Sequence, residues 1–357
     1  MLMVRSPVRI SFGGGGTDLP GYYEEFGGAV LSAAINKHFY TILKKRNDGR
    51  IQVISSDLRV TESWRDISRM DVKQSELAIP LAALKELGCD ISVDLFLASE
   101  IVAGTGLGSS ASVCVGVLKT LATYLDLSFS KYELAEQAYH IARNVLGKPV
   151  GKQDEYAAAF GGLNYISFHR DGSTHVQPIR LRPDILREFQ SSLMLFFTGA
   201  AHNSWSLLQA QEKNTKKGAG ATLDSLHEIR ALADRMRDAL EEGDFRSFGS
   251  MMHEGWQAKK RISSQISTSV IDQAYEAALA SGALGGKITG AGGGGFLLLF
   301  CKEEFQDKVR HALGELGIRE MAFEIDFDGA HVAVSDPFID GDEKCGMQWV
   351  FSPVEAQ

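Results

Sequence analysis

Gly104-Thr-Gly-Leu-Gly-Ser-Ser-Ala-Ser112 lies between an alternating apolar run, Ile91 to Leu97, and an apolar segment from Val113 to Leu125. That order reads as strand, glycine loop, helix. Three glycines within five residues, Gly104, Gly106 and Gly108, let the backbone pass close to a ligand without interference from Cβ atoms. Ser109 and Ser110 then open the helix, where free N–H groups and the positive dipole end attract an anion. The phosphate tail of a nucleotide is the ligand that suits this pattern. Taken alone, the same residues also describe a tight turn before a serine-capped helix.

Two commoner phosphate motifs fail here. A dinucleotide fingerprint needs glycine three residues after Gly106, and that position is Ser109. A P-loop needs Gly-Lys-Ser/Thr, but the Gly-Lys pairs are followed by Pro149, Gln153 and Ile288. Gly290-Ala-Gly-Gly-Gly-Gly295 fits G-x-G-x-x-G formally, yet it precedes the strand-like Phe296 to Cys301 instead of opening a helix.

Three companion segments add context. In the first, Val8, Ile10 and Phe12 alternate with Arg9 and Ser11 as a half-buried strand would. Gly13 to Gly16, Thr17 and Asp18 follow, and Asp18 before Leu19-Pro20 also suits an ordinary turn. The second, Gly147-Lys-Pro-Val-Gly-Lys-Gln-Asp154, comes after a helix marked by a Ser130/Glu133 capping box and by the stripe Leu134, Ala138, Ile141, Val145. Asp154 stands on or just after this loop. The third runs from Gly285 through Gly290-Ala-Gly-Gly-Gly-Gly295 into Phe296.

In order and spacing, these segments resemble the three motifs of the GHMP kinases, from about Val4 to Val334. The run Gly13 to Asp18 and the phrase Gly151-Lys-Gln-Asp-Glu-Tyr-Ala-Ala-Ala-Phe-Gly-Gly162 are most similar to the heptose 7-phosphate 1-kinase group, with L-fucose kinases as near relatives. The resemblance implies an α+β, two-domain architecture: a ribosomal-S5-like, ATP-binding domain over 1–185 and a ferredoxin-like domain over 186–357. It also implies roles. Gly104, Thr105, Gly106, Leu107, Gly108 and Ser109 would wrap the triphosphate of ATP, and Ser110 would hold Mg²⁺ through its hydroxyl. Asp154 would take the acceptor's proton and Arg9 would stand near the transferring phosphoryl group. Thr17 and Asp18 would bind sugar hydroxyls. Gly290 to Gly294 would form a wall beside the phosphate loop, with Gly292 and Gly293 next to the substrate.

Two departures matter. Many family members carry a glutamate on the helix before the catalytic loop that helps hold Mg²⁺; here the stretch is Ile141-Ala142-Arg143. The heptose kinases tend to have a basic residue after Thr-Gly at the second domain's start; here Thr198-Gly199 is followed by Ala200-Ala201-His202-Asn203. His202, Arg9 and Lys152 are then the candidates to meet a distal phosphate on the substrate. The expected activity is an ATP:sugar phosphotransfer to the anomeric hydroxyl of a heptose 7-phosphate. A kinase of an unphosphorylated sugar such as fucose, and a catalytically silent nucleotide-binding regulator, are the alternatives.

Composition agrees with this class. The 357 residues allow two well-buried domains. A net charge of −8 with no basic stripe argues against a nucleic-acid partner. The basic clusters Lys44-Lys45-Arg46 and Lys259-Lys260-Arg261 read as solvated faces. No run of about 18 apolar residues offers a membrane span, and the N-terminal Met-Leu-Met-Val-Arg lacks a signal core. Four scattered cysteines, none in C-x-x-C, read as reduced thiols of a cytoplasmic protein. The nine histidines form no H-x-x-x-H or H-E-x-x-H pair. The expected partner is a sugar or sugar phosphate, with a homodimer as one further expectation. Late strands are expected at Ala322–Phe327, His331–Val334 and Met347–Phe351.

Overall fold

The computed structural model describes residues 1–102, 104–199, 204–216, 218 and 220–336. In chain order the elements are β1 (Leu2–Gly13), α1 (Pro20–Phe26), β2 (Gly28–Lys45), β3 (Ile51–Ser55), β4 (Val60–Trp64), α2 (Ala78–Glu86), β5 (Val93–Ser99), α3 (Ser109–Tyr124) and α4 (Lys131–His140). A π-helical turn, Ile141–Val145, extends α4. Then come α5 (Gln153–Phe160), β6 (Leu163–Phe168), β7 (Thr174–Pro178), α6 (Pro183–Ser191), β8 (Leu193–Phe197) and α7 (Ser204–Lys216). The chain continues with α8 (Gly220–Glu242), α9 (Phe245–Ile262), α10 (Ser269–Ala280), β9 (Ala283–Ile288), β10 (Phe296–Cys301), α11 (Glu303–Glu315), β11 (Arg319–Glu320) and β12 (His331–Ser335).

The first sheet has eight strands, in the order β12-β1-β2-β5-β3-β4 with β6 and β7 branching from β2. Only the β3–β5 pairing is parallel. The ladder between β1 and β2 shifts register at Pro7/Val8, where a proline without an N–H interrupts it. Val8, Ile10 and Phe12 are buried as the alternation requires, but so are Arg9 and Ser11. The sheet is covered on both faces here: α3 and α5 pack on β1, and so do α8 and α9. The second sheet is antiparallel with order β11-β8-β10-β9. With helices between β8 and β9 and α11 between β10 and β11, this is the ferredoxin-like β-α-β-β-α-β arrangement. The α+β class expected from the motifs is the one observed.

Three cores follow. One lies between the first sheet and α2 to α5, around Leu95, Val115, Leu118 and Ile166. A second joins the domains: Val8, Ile10 and Phe12 of β1 meet Phe189, Leu232, Met236, Phe248 and Phe300. The third fills the outer face of the second sheet, around Trp256, Tyr275 and Leu297.

The end of the chain departs from expectation. Ala322–Phe327 does not form a strand. It carries the chain from one sheet to the other, with Met321 N–H donating to Leu195 O and Asp326 N–H donating to Ala34 O, and makes a single bridge at Ile325–Ile35. Beyond it, β12 pairs with β1 in the first sheet, although it follows residue 186. The expected strand at Met347–Phe351 lies outside the described residues.

Candidate active site

The phosphate-type loop is held down by its non-glycine residues. Thr105 is buried and its hydroxyl donates to Val102 O at 2.9 Å. Leu107 is buried in the interdomain core, and its carbonyl accepts the Arg9 N–H at 2.9 Å. Gly104, Gly106 and Gly108 alternate with them at φ +77°, +79° and +79°, a region L side chains rarely adopt. Gly108 is the left-handed N-cap of α3 and offers no side-chain cap, so the first N–H groups of the helix stay available. Ser109 Oγ is buried without a partner, and Ser110 stands exposed beside it.

The third glycine segment closes on this loop. A Cβ on Gly106 would meet Thr289 O at 2.4 Å, and one on Gly295 would meet Thr105 O at 2.2 Å. A Cβ on Gly290 would come within 2.7 Å of the Gly106 Cα. Gly292 and Gly293, expected beside the substrate, pack against Ile266. The Gly293 N–H donates to Ile266 O at 2.7 Å, and a Cβ on Gly292 would strike Ile266. Both brace the segment against the loop before α10.

Arg9 and Asp154, 145 residues apart, meet in a two-pronged ion pair. Arg9 Nε donates to Asp154 Oδ1 and Nη2 to Oδ2, each at 2.7 Å, while Nη1 donates to Gly106 O at 2.6 Å. Asp154 sits in the first turn of α5, its carboxylate within 3.4 Å of where a Gly108 Cβ would be. The fork therefore fixes the carboxylate against the phosphate loop.

Asp18 is buried next to it. Its carboxylate accepts the N–H of Gly16 at 2.9 Å and of Gln153 at 3.3 Å. A side chain at Gly151 would overlap Asp18 Oδ2, so the glycine permits this approach. Burial, and secondarily the charge of Asp154, raise the Asp18 pKa despite the two amides. Thr17 behaves otherwise than expected. Fully buried, its single hydroxyl proton is shared between Gly14 O and Ala29 O, and its oxygen accepts the Ala29 N–H. It braces the turn that presents Asp18, and its proton is not free for a sugar.

Other polar groups converge where a Gly15 side chain would begin: Ser11 Oγ at 3.6 Å, Gln153 Nε2 at 3.8 Å and Lys287 Nζ at 3.9 Å. Ser11 Oγ and Gln153 Oε1 are buried without protein partners. Two lysines also line the site. Lys259 Nζ donates to Gly290 O at 2.8 Å and Lys287 Nζ to Ser11 O at 2.9 Å, and both side chains are buried. Burial pushes Lys259 down to about 8 and Lys287 well below its ordinary value. The solvated-face reading of Lys259-Lys260-Arg261 is thus corrected at its first residue. The signal was present: Phe248, Met252, Trp256 and Lys259 recur at helical spacing, which places a lysine on the buried stripe of α9.

Of the candidates for a distal phosphate, one is engaged elsewhere and one cannot be placed. Lys152 turns away, its ammonium bound to Glu136 and Gly172 O at 2.7 Å each. His202 lies outside the described residues.

The geometry agrees with what the chain is similar to. A model of the GHMP kinases N terminal domain matches residues 77–162, and one of the GHMP kinases C terminal domain matches 236–319. A D-glycero-alpha-D-manno-heptose 7-phosphate kinase of Campylobacter jejuni is 33% identical over 306 residues, covering 84% of this chain and 89% of that protein. An L-fucokinase/L-fucose-1-P guanylyltransferase of Bacteroides fragilis is 26% identical over 84% of this chain, which spans 34% of that longer protein. A crystal structure of a D-glycero-D-manno-heptose 1-phosphate kinase from Bacteroides thetaiotaomicron superposes with a TM-score of 0.78 at 29% identity, covering 94% of this chain and 99% of that one. The chain belongs to the GHMP kinases, as an ATP-dependent kinase that transfers phosphate to a sugar hydroxyl.

Proposed function

We propose that the acceptor is a D-glycero-D-manno-heptose 7-phosphate and that its anomeric hydroxyl is phosphorylated. The observation that carries the catalytic part is the Arg9–Asp154 fork against Gly106 and Gly108, which sets a carboxylate beside a loop built to hold a nucleotide's phosphates. The relative from Campylobacter jejuni supports the sugar.

In this reading Asp154 accepts the hydroxyl proton and Arg9 keeps the carboxylate oriented. Asp18, Ser11 and Gln153 meet sugar hydroxyls. The amides of the Gly104–Ser109 loop hold the triphosphate. Ser109 Oγ, an orphaned buried hydroxyl, and the exposed Ser110 fit a nucleotide–Mg²⁺ pair. Among the described residues no group of three or more His, Cys, Asp or Glu could hold a metal, and Ala142 offers no carboxylate. Ser110 would therefore hold Mg²⁺ together with phosphate oxygens and water. When bound, Mg²⁺ neutralises charge on the β- and γ-phosphate oxygens. A cytoplasmic setting goes with this reading: Cys89, Cys114 and Cys301 are free and buried, and among the described residues no helix is long and apolar enough to cross a membrane.

The test is a coupled ADP-release assay on the heptose 7-phosphate, the free heptose, L-fucose and galactose. The phosphorylated heptose should exceed the free sugar at least about tenfold in kcat/KM, because charge-assisted contacts contribute about 1.5–3 kcal/mol each. Equal rates would overturn the 7-phosphate, and preference for L-fucose would put the fucose reading in its place. ATP binding without ADP release on any sugar would leave a regulator.

A further inference from the structure

Arg9, the cation expected to meet the phosphoryl group, commits three of its five N–H donors to the protein and its charge to Asp154. Two of those bonds go to Asp154 and one to Gly106 O. Lys259 is less engaged. Its ammonium has three donors, is buried, and bonds to Gly290 O, with no ion pair among the described residues. Gly290 itself packs on the Gly106 backbone, so the ammonium is anchored at the seam between the phosphate loop and the second domain. The charged groups around it are Arg9 of β1, Asp18 of the following turn, Asp154 of α5 and Lys287 of β9. Asp154 is paired in its fork with Arg9, which leaves the buried Lys259 and Lys287 side chains with Asp18 as the one acidic group not already paired. An anion arriving here completes the balance.

We propose that Lys259 is the cation that contacts the transferring phosphoryl group, while Arg9 acts as a positioning residue for Asp154. The inference rests on the phosphoryl-transfer reading above. In the step, the acceptor oxygen bonds to the γ-phosphorus as the bond from that phosphorus to the β,γ-bridging oxygen breaks. The electron pair leaves with ADP, the hydroxyl proton passes to Asp154, and Lys259 keeps its proton while stabilising the charge on the equatorial oxygens. Burial, opposed by the charge of Asp18 and reinforced by that of Arg9, keeps Lys259 near 8, and Lys259 in turn helps to lower Lys287 at Ser11. Lys259 is charged below that pH and loses its charge above it.

The full-length protein and its Lys259→Met and Lys259→Arg variants decide the matter. Lys259→Met should lower kcat about 10²–10³-fold, the range for removing one preorganised donor, with ATP affinity and melting temperature nearly unchanged. Calorimetry with Mg²⁺, ADP and aluminium fluoride, which mimics the phosphoryl group in flight and needs no acceptor, should show tighter binding than ADP alone in the wild type. That gain should vanish in Lys259→Met and survive in part in Lys259→Arg. The wild-type kcat/KM, which reports the free enzyme, should fall as pH rises through about 8, and Lys259→Arg should move that limb upward because a guanidinium keeps its charge.

A loss below about fivefold in Lys259→Met would overturn the proposal. So would a loss of ATP affinity as large as the loss of rate, or a wild type that gains nothing from aluminium fluoride. If Lys259→Met fails to fold, an unmoved alkaline limb in Lys259→Arg overturns it. Failure of the kinase reading shows separately, as no ADP release by the wild type on any sugar.

Discussion

Asp154 and Glu155 are neighbours in the first turn of α5, yet their surroundings give them opposite tasks. Asp154 is partly exposed and forked by Arg9, so its carboxylate is held in one direction beside the phosphate-type loop. Asp154→Asn keeps an acceptor for Arg9 and should leave ATP affinity intact while lowering turnover about 10²–10⁴-fold, measured by ADP release. A loss smaller than about fivefold would remove it from the chemistry. Glu155 is buried, and its Oε2 has no partner. Burial first, then the Asp154 charge, raise its pKa well above the ordinary 4.5. A folded-state pKa above the unfolded one gives a contribution that is full below about 4.5 and is lost as pH climbs toward the folded value. Glu155→Gln removes that loss. Its melting temperature should match the wild type near pH 4.5 and rise progressively above it toward neutrality; a difference independent of pH would contradict this account.

Among the elements, the decisive contact is between two glycine segments. Gly106 has φ +79° and its missing Cβ leaves room for Thr289 O. Gly106→Ala must therefore strain the backbone and push back the third segment. A left-handed alanine costs about 1–2 kcal/mol before the clash is counted, so the ATP dissociation constant should rise at least about tenfold in calorimetry. Gly147→Ala is the control: its φ is +65°, but nothing lies within 4 Å of the new Cβ, so it should leave ATP affinity unchanged. The elements themselves were largely legible. The capping box of Ser130 and Glu133 forms as the residues indicate, and α3 begins at Ser109. The failure at Ala322–Phe327 has a physical cause: a segment passing between two sheets shares its hydrogen bonds between them and completes a ladder with neither.

For the whole molecule, the site depends on the core that joins the domains. Phe12, on the same strand as Arg9, makes edge-type contacts with Phe189 and Phe248, at centroid distances of 5.4 and 5.7 Å. Phe189 also meets Phe248 at 5.3 Å and 89°. Phe189→Ala should reduce stability by about 3–5 kcal/mol in urea unfolding. Because this core also seats β1, kcat should fall with it. A stability loss below about 1 kcal/mol would mean that the domains do not rely on this contact.

The glycine loop and the order of the motifs are legible along the chain, because glycine spacing, capping residues and apolar periodicity are local properties, and the α+β class follows from the family resemblance of those motifs. Arg9 and Asp18, which flank Gly13 to Gly16, and Asp154, after Gly151, are singled out by the family resemblance of those segments. How they meet depends on the tertiary fold. Thr17 braces a turn, Gly292 and Gly293 pack on the loop before α10, and the Lys152 ammonium bonds to Glu136 and Gly172 O, since hydrogen bonding depends on which groups come near. Lys259 and Lys287 entered the site through burial between domains, a property set by the chain's long-range packing and not by any stretch of it.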